Sequence, residues 1–321
     1  MHNLISLVLG YILDLIIGDP QNAPHPIRLI GSFISKLENK LRCKCKNEKD
    51  EYKSGVILWF VVVFISFLIP FFIITLAYRY LPVVVAIIID AIMCYYILAT
   101  KCLKVESMKV YAKLKQGNIM EARKFLSYIV GRDTKSLDET EIVKACVETV
   151  AENTSDGVIA PLLFILIGGA PLGFMYKAIN TLDSMVGYKS EKYINMGRFS
   201  AKADDIANYI PARISAYLMI VASFIIKLDY KNAYKIYKRD RYNHLSPNSA
   251  HTESVCAGAL DIKLAGGSYY GGTFVEKPTI GDDIRKIQLD DVKISNKLMY
   301  ATSWLCFFVG ILIKLIIVKV I

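Results

Sequence analysis

Residues 55–78 read "GVILWFVVVFISFLIPFFIITLAY", and after a three-residue gap residues 82–99 read "PVVVAIIIDAIMCYYILA". The first run carries no charge and is longer than the about 20 residues a helix needs to cross a hydrocarbon core. The second holds one acid, Asp90. So short a gap leaves only an antiparallel hairpin. In lipid, backbone polar groups are satisfied within helices or closed barrels alone. The sequence therefore predicts an all-α, polytopic membrane protein. Residues 299–318 form a third run, and the stretches 4–17, 157–180 and 206–227 are shorter or interrupted, so four to six transmembrane helices are expected. A hydrophobic share of 54% supports this assignment over a soluble one.

The charges lie between these runs. Lys and Arg total 39 against 29 Asp and Glu, giving a net charge of +10. Basic residues concentrate in segments 100–156 and 228–298, with few in 181–205, which places the two long segments in the cytoplasm. No zinc-finger spacing, RNA-binding aromatic motif or basic recognition helix accompanies the charge, which excludes nucleic acid as a partner and favours anionic headgroups and phosphorylated ligands. The seven cysteines include one close pair, Cys43 and Cys45, with no second pair to complete a zinc site. The N-terminal apolar run lacks a basic n-region and a cleavage site, so it is expected to remain as a membrane segment. The long cytoplasmic segments are expected to be helical: Asn118 with Glu121 and Ser136 with Glu139 have capping-box spacing, and Ser246-Pro247 resembles a helix start. One integral membrane domain over 1–321 is expected.

In segment 157–180, Ala160-Pro161-Leu162 recurs as Ala170-Pro171-Leu172, with Gly168-Gly169 between. Proline suits a first helical turn, so this region predicts two short helices broken at the glycines. Just before it stands "ETVAENTSDGVIAP". On a helix over 138–153, Glu141, Glu148 and Glu152 share one stripe, which runs into Asn153, Thr154, Ser155 and Asp156 where the chain enters the bilayer. Oxygen ligands this dense suit Mg²⁺, although a solvated face has the same pattern. A second cluster comprises Asp183, Asp204 and Asp205, with Arg213 inside the next apolar stretch, where an arginine pairs with a carboxylate, binds an anion or snorkels. A third, "GDPQNAPHPIRLIG", offers Asp19, His25 and Arg28, either a stiff turn or a phosphate holder. "GGSYYGG" lacks a Walker A lysine; its Tyr269 and Tyr270 suit stacking on a flat ligand. Asp14 and Asp90 are ionisable groups within apolar segments.

In order, "GDPQNAPHPIRLIG", "ETVAENTSDGVIAP", "YKAINTLDSMVGYK", "DDIANYIPAR", "SPNS" and "GGSYYGG" closely resemble the CobD/CbiB family of adenosylcobinamide-phosphate synthases of cobalamin biosynthesis. The resemblance runs from about residue 4 to 315. It implies a multi-pass cell-membrane enzyme that forms an amide between a propionate of adenosylcobyric acid and 1-amino-2-propanol or its O-phosphate. The corrinoid is then substrate, and ATP with Mg²⁺ drives the ligation. On residue chemistry and motif membership, Glu148, Glu152 and Asp183 are the catalytic candidates. Glu148, Glu152, Asp156, Asp183, Asp204 and Asp205 are the metal ligands expected. Asp19, His25, Arg28, Asn153, Ser155, Asn180, Lys189, Arg213, Asn248, Tyr269 and Tyr270 are the substrate or phosphate contacts. Other membrane enzymes of cobalamin assembly are candidate partners. A transporter or scaffold for a corrinoid or another anionic cofactor is the competing reading, since broken helices and buried Asp or Arg also occur in transporters.

Overall fold

The computed structural model describes residues 2–20, 24–188 and 190–320. It is almost wholly helical. In chain order the helices are α1 (His2–Ile17), α2 (Pro26–Arg42), α3 (Glu48–Tyr80), α4 (Val83–Ile97), α5 (Thr100–Lys115), α6 (Ile119–Leu126) and α7 (Glu139–Asn153). A π-helical segment, Thr154–Ile159, leads into α8 (Ala160–Val186), followed by α9 (Arg198–Ile225), α10 (Tyr230–Asp240), α11 (Ser249–Leu260) and α12 (Asp291–Val320). Four short strands, β1 (Leu264–Ala265), β2 (Ser268–Tyr270), β3 (Thr273–Val275) and β4 (Thr279–Ile280), pair antiparallel as β1 with β4 and β2 with β3. Candidate Lys189 and residues 21–23 of the proline-rich motif lie outside the described residues.

Five helical stretches are long and apolar enough to cross a membrane: Glu48–Tyr80, Val83–Lys115, Glu139–Val186, Arg198–Ile225 and Asp291–Ile317. The shorter α1 is also apolar, which matches the expected four to six. The surface of α3 is what a lipid-facing helix requires, with Phe60, Phe64 and Phe72 all exposed. Its start is fixed by the Asn47 side chain, which accepts from the Asp50 N–H at 3.0 Å, with Glu48, Asp50 and Glu51 at the positive end of the helix dipole.

The chain forms two compact units, each discontinuous in sequence. Unit 1 is residues 1–99, 160–208 and 310–321; unit 2 is residues 100–159 and 209–309. In unit 1, α1 packs on α4 and α3 on α8, and the core includes Ile34, Leu58, Val62, Leu182 and Met196. Gly10 permits the close approach of α1 to α4, because a Cβ there would lie 2.7 Å from the Ala91 carbonyl oxygen. The predicted break in α8 is present: Gly169 has φ 69° and ψ −167°, a conformation nearly confined to glycine, and Pro171 restarts the helix.

In unit 2 the two long segments expected in the cytoplasm fold together. Helices α5, α6, α7, α10 and α11 share one core that includes Val110, Leu126, Ile142, Ile236 and Val255. One helix start differs from expectation. Ser136 lies in a turn closed by Thr134 and Leu137, and the capping box belongs to Asp138 and Glu141, each side chain accepting the other's backbone N–H at 2.8 Å. Two overlapping patterns share this acidic segment, and the first α-helical bond, Ile142 N–H to the Asp138 carbonyl, selects the later one. Helix α11 likewise begins at Ser249, with Asn248 as N-cap, two residues beyond Ser246-Pro247.

Candidate functional site

The polar knot at 153–157 is where regular α-geometry fails. Thr149 and Thr154 turn their hydroxyls back onto the carbonyls of Ala145 and Val150, and Asn153 donates to the Thr149 carbonyl at 3.0 Å. Such side-chain bonds compete with the helical ladder, and Gly157 adds backbone freedom. The ladder widens into the π segment, a distortion frequently associated with functional sites.

Glu148 and Glu152, one turn apart on α7, face a cavity of about 200 Å³ within unit 2. Glu148 is 3% exposed. One of its oxygens pairs with the Arg132 guanidinium, and the other accepts from the Ala265 N–H at 2.6 Å. Glu152 accepts from the Ser249 hydroxyl at 2.8 Å. Helix α11 contributes Glu253, and the loops before and after it add His244 and Lys277. Burial first, then the charges of Glu152 and Glu148, push the Glu253 carboxyl well above the ordinary glutamic-acid range. Burial holds His244 below the usual histidine value. Its Nδ1 accepts the Ser246 N–H at 3.0 Å, so the neutral ring carries its proton on Nε2. The site thus gathers three glutamate carboxyl groups, two cations and an uncharged imidazole donor in a buried space.

The Gly-rich segment forms a hairpin turn. Strands β2 and β3 join through Gly271 and Gly272, both at positive φ, as a two-residue hairpin turn requires. Their N–H groups donate to the Asp133 carboxylate at 3.2 and 2.7 Å, so the donors a phosphate would seek are taken by this chain's own acid. Tyr270 lines the cavity and accepts from Lys277 Nζ at 2.7 Å, whereas Tyr269 is exposed and packs on Phe274.

Of the other candidates in unit 2, Asn153 lines the same cavity, Ser155 is buried and Asp156 is half-buried in the π segment. Arg213 lies 3.4 Å over the Tyr209 ring and donates to Asn248 Oδ1 at 3.3 Å, beside the start of α11. Glu141 is spent on the helix cap. In unit 1, Asp204 accepts from Asn208 at 2.9 Å and Asn180 at 3.5 Å, and Asn208 in turn accepts from the Tyr176 hydroxyl at 2.8 Å. Asp183 and Asp205 are half-buried near the end of α8 and on α9. The six carboxylates expected as one metal centre are therefore divided between the two units. Among the described residues, no three His, Cys, Asp or Glu side chains gather as a metal-ligand set. Glu148 and Asp204 show why: hydrogen bonds and an arginine already occupy their oxygens.

Asp19, His25 and Arg28 do come together, around a separate pocket in unit 1. Sequence reasoning missed Arg132, His244, Glu253 and Lys277 in unit 2, and Tyr96 and Lys177 in unit 1. Glu253 carried a usable signal, as an acid one helical turn after Ser249 in an otherwise uncharged helix, and Lys177 stands within the quoted motif "YKAINTLDSMVGYK".

A model of the CobD/Cbib protein family matches residues 7–299. Cobalamin biosynthesis protein CobD of Clostridium perfringens is 53% identical over 98% of this chain and 98% of its own length. The CobD protein of Photorhabdus laumondii is 46% identical over 96% of this chain and 97% of its own, and cobalamin biosynthesis protein CbiB of Salmonella typhi is 44% identical over 94% of each. No solved structure matches.

Proposed function

Because the chain belongs to the CobD/CbiB family of cobalamin biosynthesis proteins, we propose that it is an ATP-dependent amide ligase of the cell membrane. It joins (R)-1-amino-2-propanol or its O-phosphate to a propionate of adenosylcobyric acid, giving adenosylcobinamide or its phosphate. The observation that carries this reading is the buried cavity of unit 2, where Glu148, Glu152 and Glu253 face Arg132, Lys277 and His244.

A carboxylate and an amine do not condense usefully in water, so the carboxylate needs a better leaving group. A propionate oxygen attacks the γ-phosphorus of ATP, the bond to ADP breaks, and an acyl phosphate forms. The amine nitrogen then attacks the acyl carbon, phosphate leaves with the bonding electrons, and the nitrogen loses a proton. Arg132 and Lys277 supply positive charge for the phosphates in a space where water screens little. Glu148 keeps Arg132 in place through their ion pair. Glu253, whose proton affinity burial and its neighbours raise, is suited to accept the amine's proton. The His244 Nε2–H is a neutral donor for oxygen charge that develops at the acyl carbon.

Magnesium fits this donor set as a cation that arrives with nucleotide phosphates. It commonly takes only one or two protein carboxylates and keeps water and phosphate oxygens for the rest. Glu152 would hold it, and it would neutralise charge on the transferring phosphoryl group. The cavity falls below the about 300–1,000 Å³ of pockets that enclose drug-sized ligands, so a corrinoid would extend only its propionate arm inward.

The test is amide formation by detergent-purified protein with adenosylcobyric acid, ATP, Mg²⁺ and either amine, followed by mass spectrometry and ADP release. Product should appear in step with ADP. Amide formed without nucleotide would overturn the acyl-phosphate route, and corrinoid uptake into vesicles without any amide product would turn the reading to transport.

A further inference from the structure

The corner where α2 turns into α3 is strongly basic, and the ligation chemistry above makes no use of it. Residues 36–53 hold seven Lys or Arg against four acids. The acids are spent within the chain. Glu38, 5% exposed, pairs with Arg42 at 3.1 Å and with Lys192 at 3.7 Å, and Glu51 meets the same arginine at 3.6 Å. Asp50 accepts the Lys46 N–H at 3.2 Å, and Glu48 lies in the first turn of α3, where the helix dipole offsets its charge. The remaining basic residues are Lys36, Lys40, Lys44, Lys46, Lys49 and Lys53. All are exposed, and among the described residues none of them makes an ion pair.

The fold fixes where these ammonium groups point. On α2, Ile30, Ile34, Leu37 and Leu41 pack into the core of unit 1, which leaves Lys36 and Lys40 on the outer side. The turn is tight, with the N–H groups of Cys43, Lys44 and Cys45 bonded to the carbonyls of Asn39, Leu41 and Arg42. On α3, Lys49 and Lys53 stand one turn apart, and their stripe continues at helical spacing as Ile57, Phe60 and Phe64, all exposed. A lysine one turn before a lipid-facing stripe reaches headgroup level, and exposed Tyr52 stands beside it as an interfacial aromatic. Helices α3 and α4 form a hairpin, so the start of α3 shares a face with the end of α4. The segment after α4 is one that its charges place in the cytoplasm, on the side of the anionic leaflet.

We infer that the α2–α3 corner docks on the anionic phospholipid headgroups of the membrane that holds the chain. Lysines one turn apart on a helix repel one another, and a surface of phosphates turns the same charges into attraction. The exposed set is all lysine, compact point charges suited to a shifting array of phosphates, whereas Arg42 is kept for the fixed geometry of two carboxylates. A soluble acidic partner would meet the same positive charge. The lysine row, however, runs without a break into the lipid-facing stripe of α3, so the nearest phosphates are those of the bilayer. The inference is independent of the ligase reading.

Trp59, on α3 just beyond Lys53, reports on this corner. The chain has two tryptophans, so Trp304→Phe leaves Trp59 as the single indole. The experiment reconstitutes the full chain carrying Trp304→Phe in phosphatidylcholine with increasing phosphatidylglycerol brominated near the headgroup end of its acyl chains. Quenching of Trp59 then gives the binding of one lipid relative to the other. Phosphatidylglycerol should bind about fivefold better or more at low salt, the gain that one lysine beside an anionic surface supplies. The preference should fall towards unity in about 1 M salt, where screening acts within about 3 Å. Lys44→Gln, Lys46→Gln, Lys49→Gln and Lys53→Gln together should remove it, and the same four changes to Arg should keep it, with the thermal midpoint in detergent little changed. Lys263→Gln with Lys286→Gln, at exposed positions of unit 2, should leave it intact. Equal quenching by the two lipids, or a preference that survives the fourfold Gln variant or high salt, overturns the inference. Lysine-dependent binding of soluble polyphosphate or an acidic peptide to the detergent-purified chain, with no lipid preference, assigns the corner to a soluble partner and also overturns it.

Discussion

Arg132 and Glu148 occupy a place where neither charge would be stable alone. Removing one member of a buried pair leaves the other uncompensated and typically costs about 3–5 kcal/mol, whereas replacing both by apolar groups is often neutral. Arg132→Met should therefore lower the thermal midpoint sharply, and Arg132→Met with Glu148→Met should recover much of that loss while abolishing ligation. A double variant no more stable than the single one would show that the pair is not what holds this wall. His251 on α11 provides a test by pH. It is 1% exposed, and burial, followed by Arg213 and Arg241, lowers it from the ordinary histidine value to about 4. The unfolded chain binds this proton near pH 6.5 and the folded chain only near pH 4, so folding stability from this site is complete above about pH 6.5 and declines as pH falls towards 4. His251→Gln should flatten the thermal midpoint over that window relative to the unmodified chain. For the chemistry, Glu152→Gln removes a charge and Glu253→Gln a proton acceptor while both keep the side-chain shape; each should cut ligation by orders of magnitude with the thermal midpoint little changed. Near-normal rates in both, across a magnesium titration, would return the acidic stripe to a structural role.

Among the elements, those specified locally were the ones legible in advance. The Gly168-Gly169 break was readable because two glycines precede a proline that must restart a helix. Gly169→Ala should cost about 1–3 kcal/mol, since φ 69° with ψ −167° is closed to a residue with a Cβ even though the nearest atom to that Cβ would be 3.6 Å away. The loss is measurable as a lower thermal midpoint in detergent. The glycines of "GGSYYGG" were legible as a turn but not as a turn whose N–H groups are already taken. Asp133, their acceptor, is 138 residues before Gly271. No local pattern announces a bond of that length. The same limit applies to the acidic stripe of α7: spacing put Glu148 and Glu152 on one face, but Arg132, Glu253 and Lys277 come from other segments. Among the described residues the six carboxylates expected as metal ligands do not gather into one set, since sequence shows how many carboxylates are present and not which segments the fold brings together.

At the scale of the whole molecule, apolar runs carried the membrane assignment, since a span must satisfy its backbone within itself and so shows in one continuous stretch. What the sequence did not reveal is that segments 100–159 and 209–309 form one compact unit around a shared core. A soluble-type core built from two distant segments has no continuous signature; each part shows only its own helical period. This shared core constrains topology more firmly than charge counting. Positive-inside reasoning places each long segment in the cytoplasm separately, and a different number of crossings between them would move one across the membrane. Packing of α7 on α11 allows no such separation. In a cysteine-free background, single cysteines at exposed Ser127 and exposed Lys286 should therefore react with an impermeant maleimide from the same side, protected in intact cells and labelled in inverted vesicles. Carbonate extraction of the same membranes should leave the chain in the pellet, as five apolar stretches of spanning length require. Labelling of the two positions from opposite faces would break unit 2 apart, and the cavity between Glu148, Glu253 and Lys277 with it, because those three side chains come from both segments.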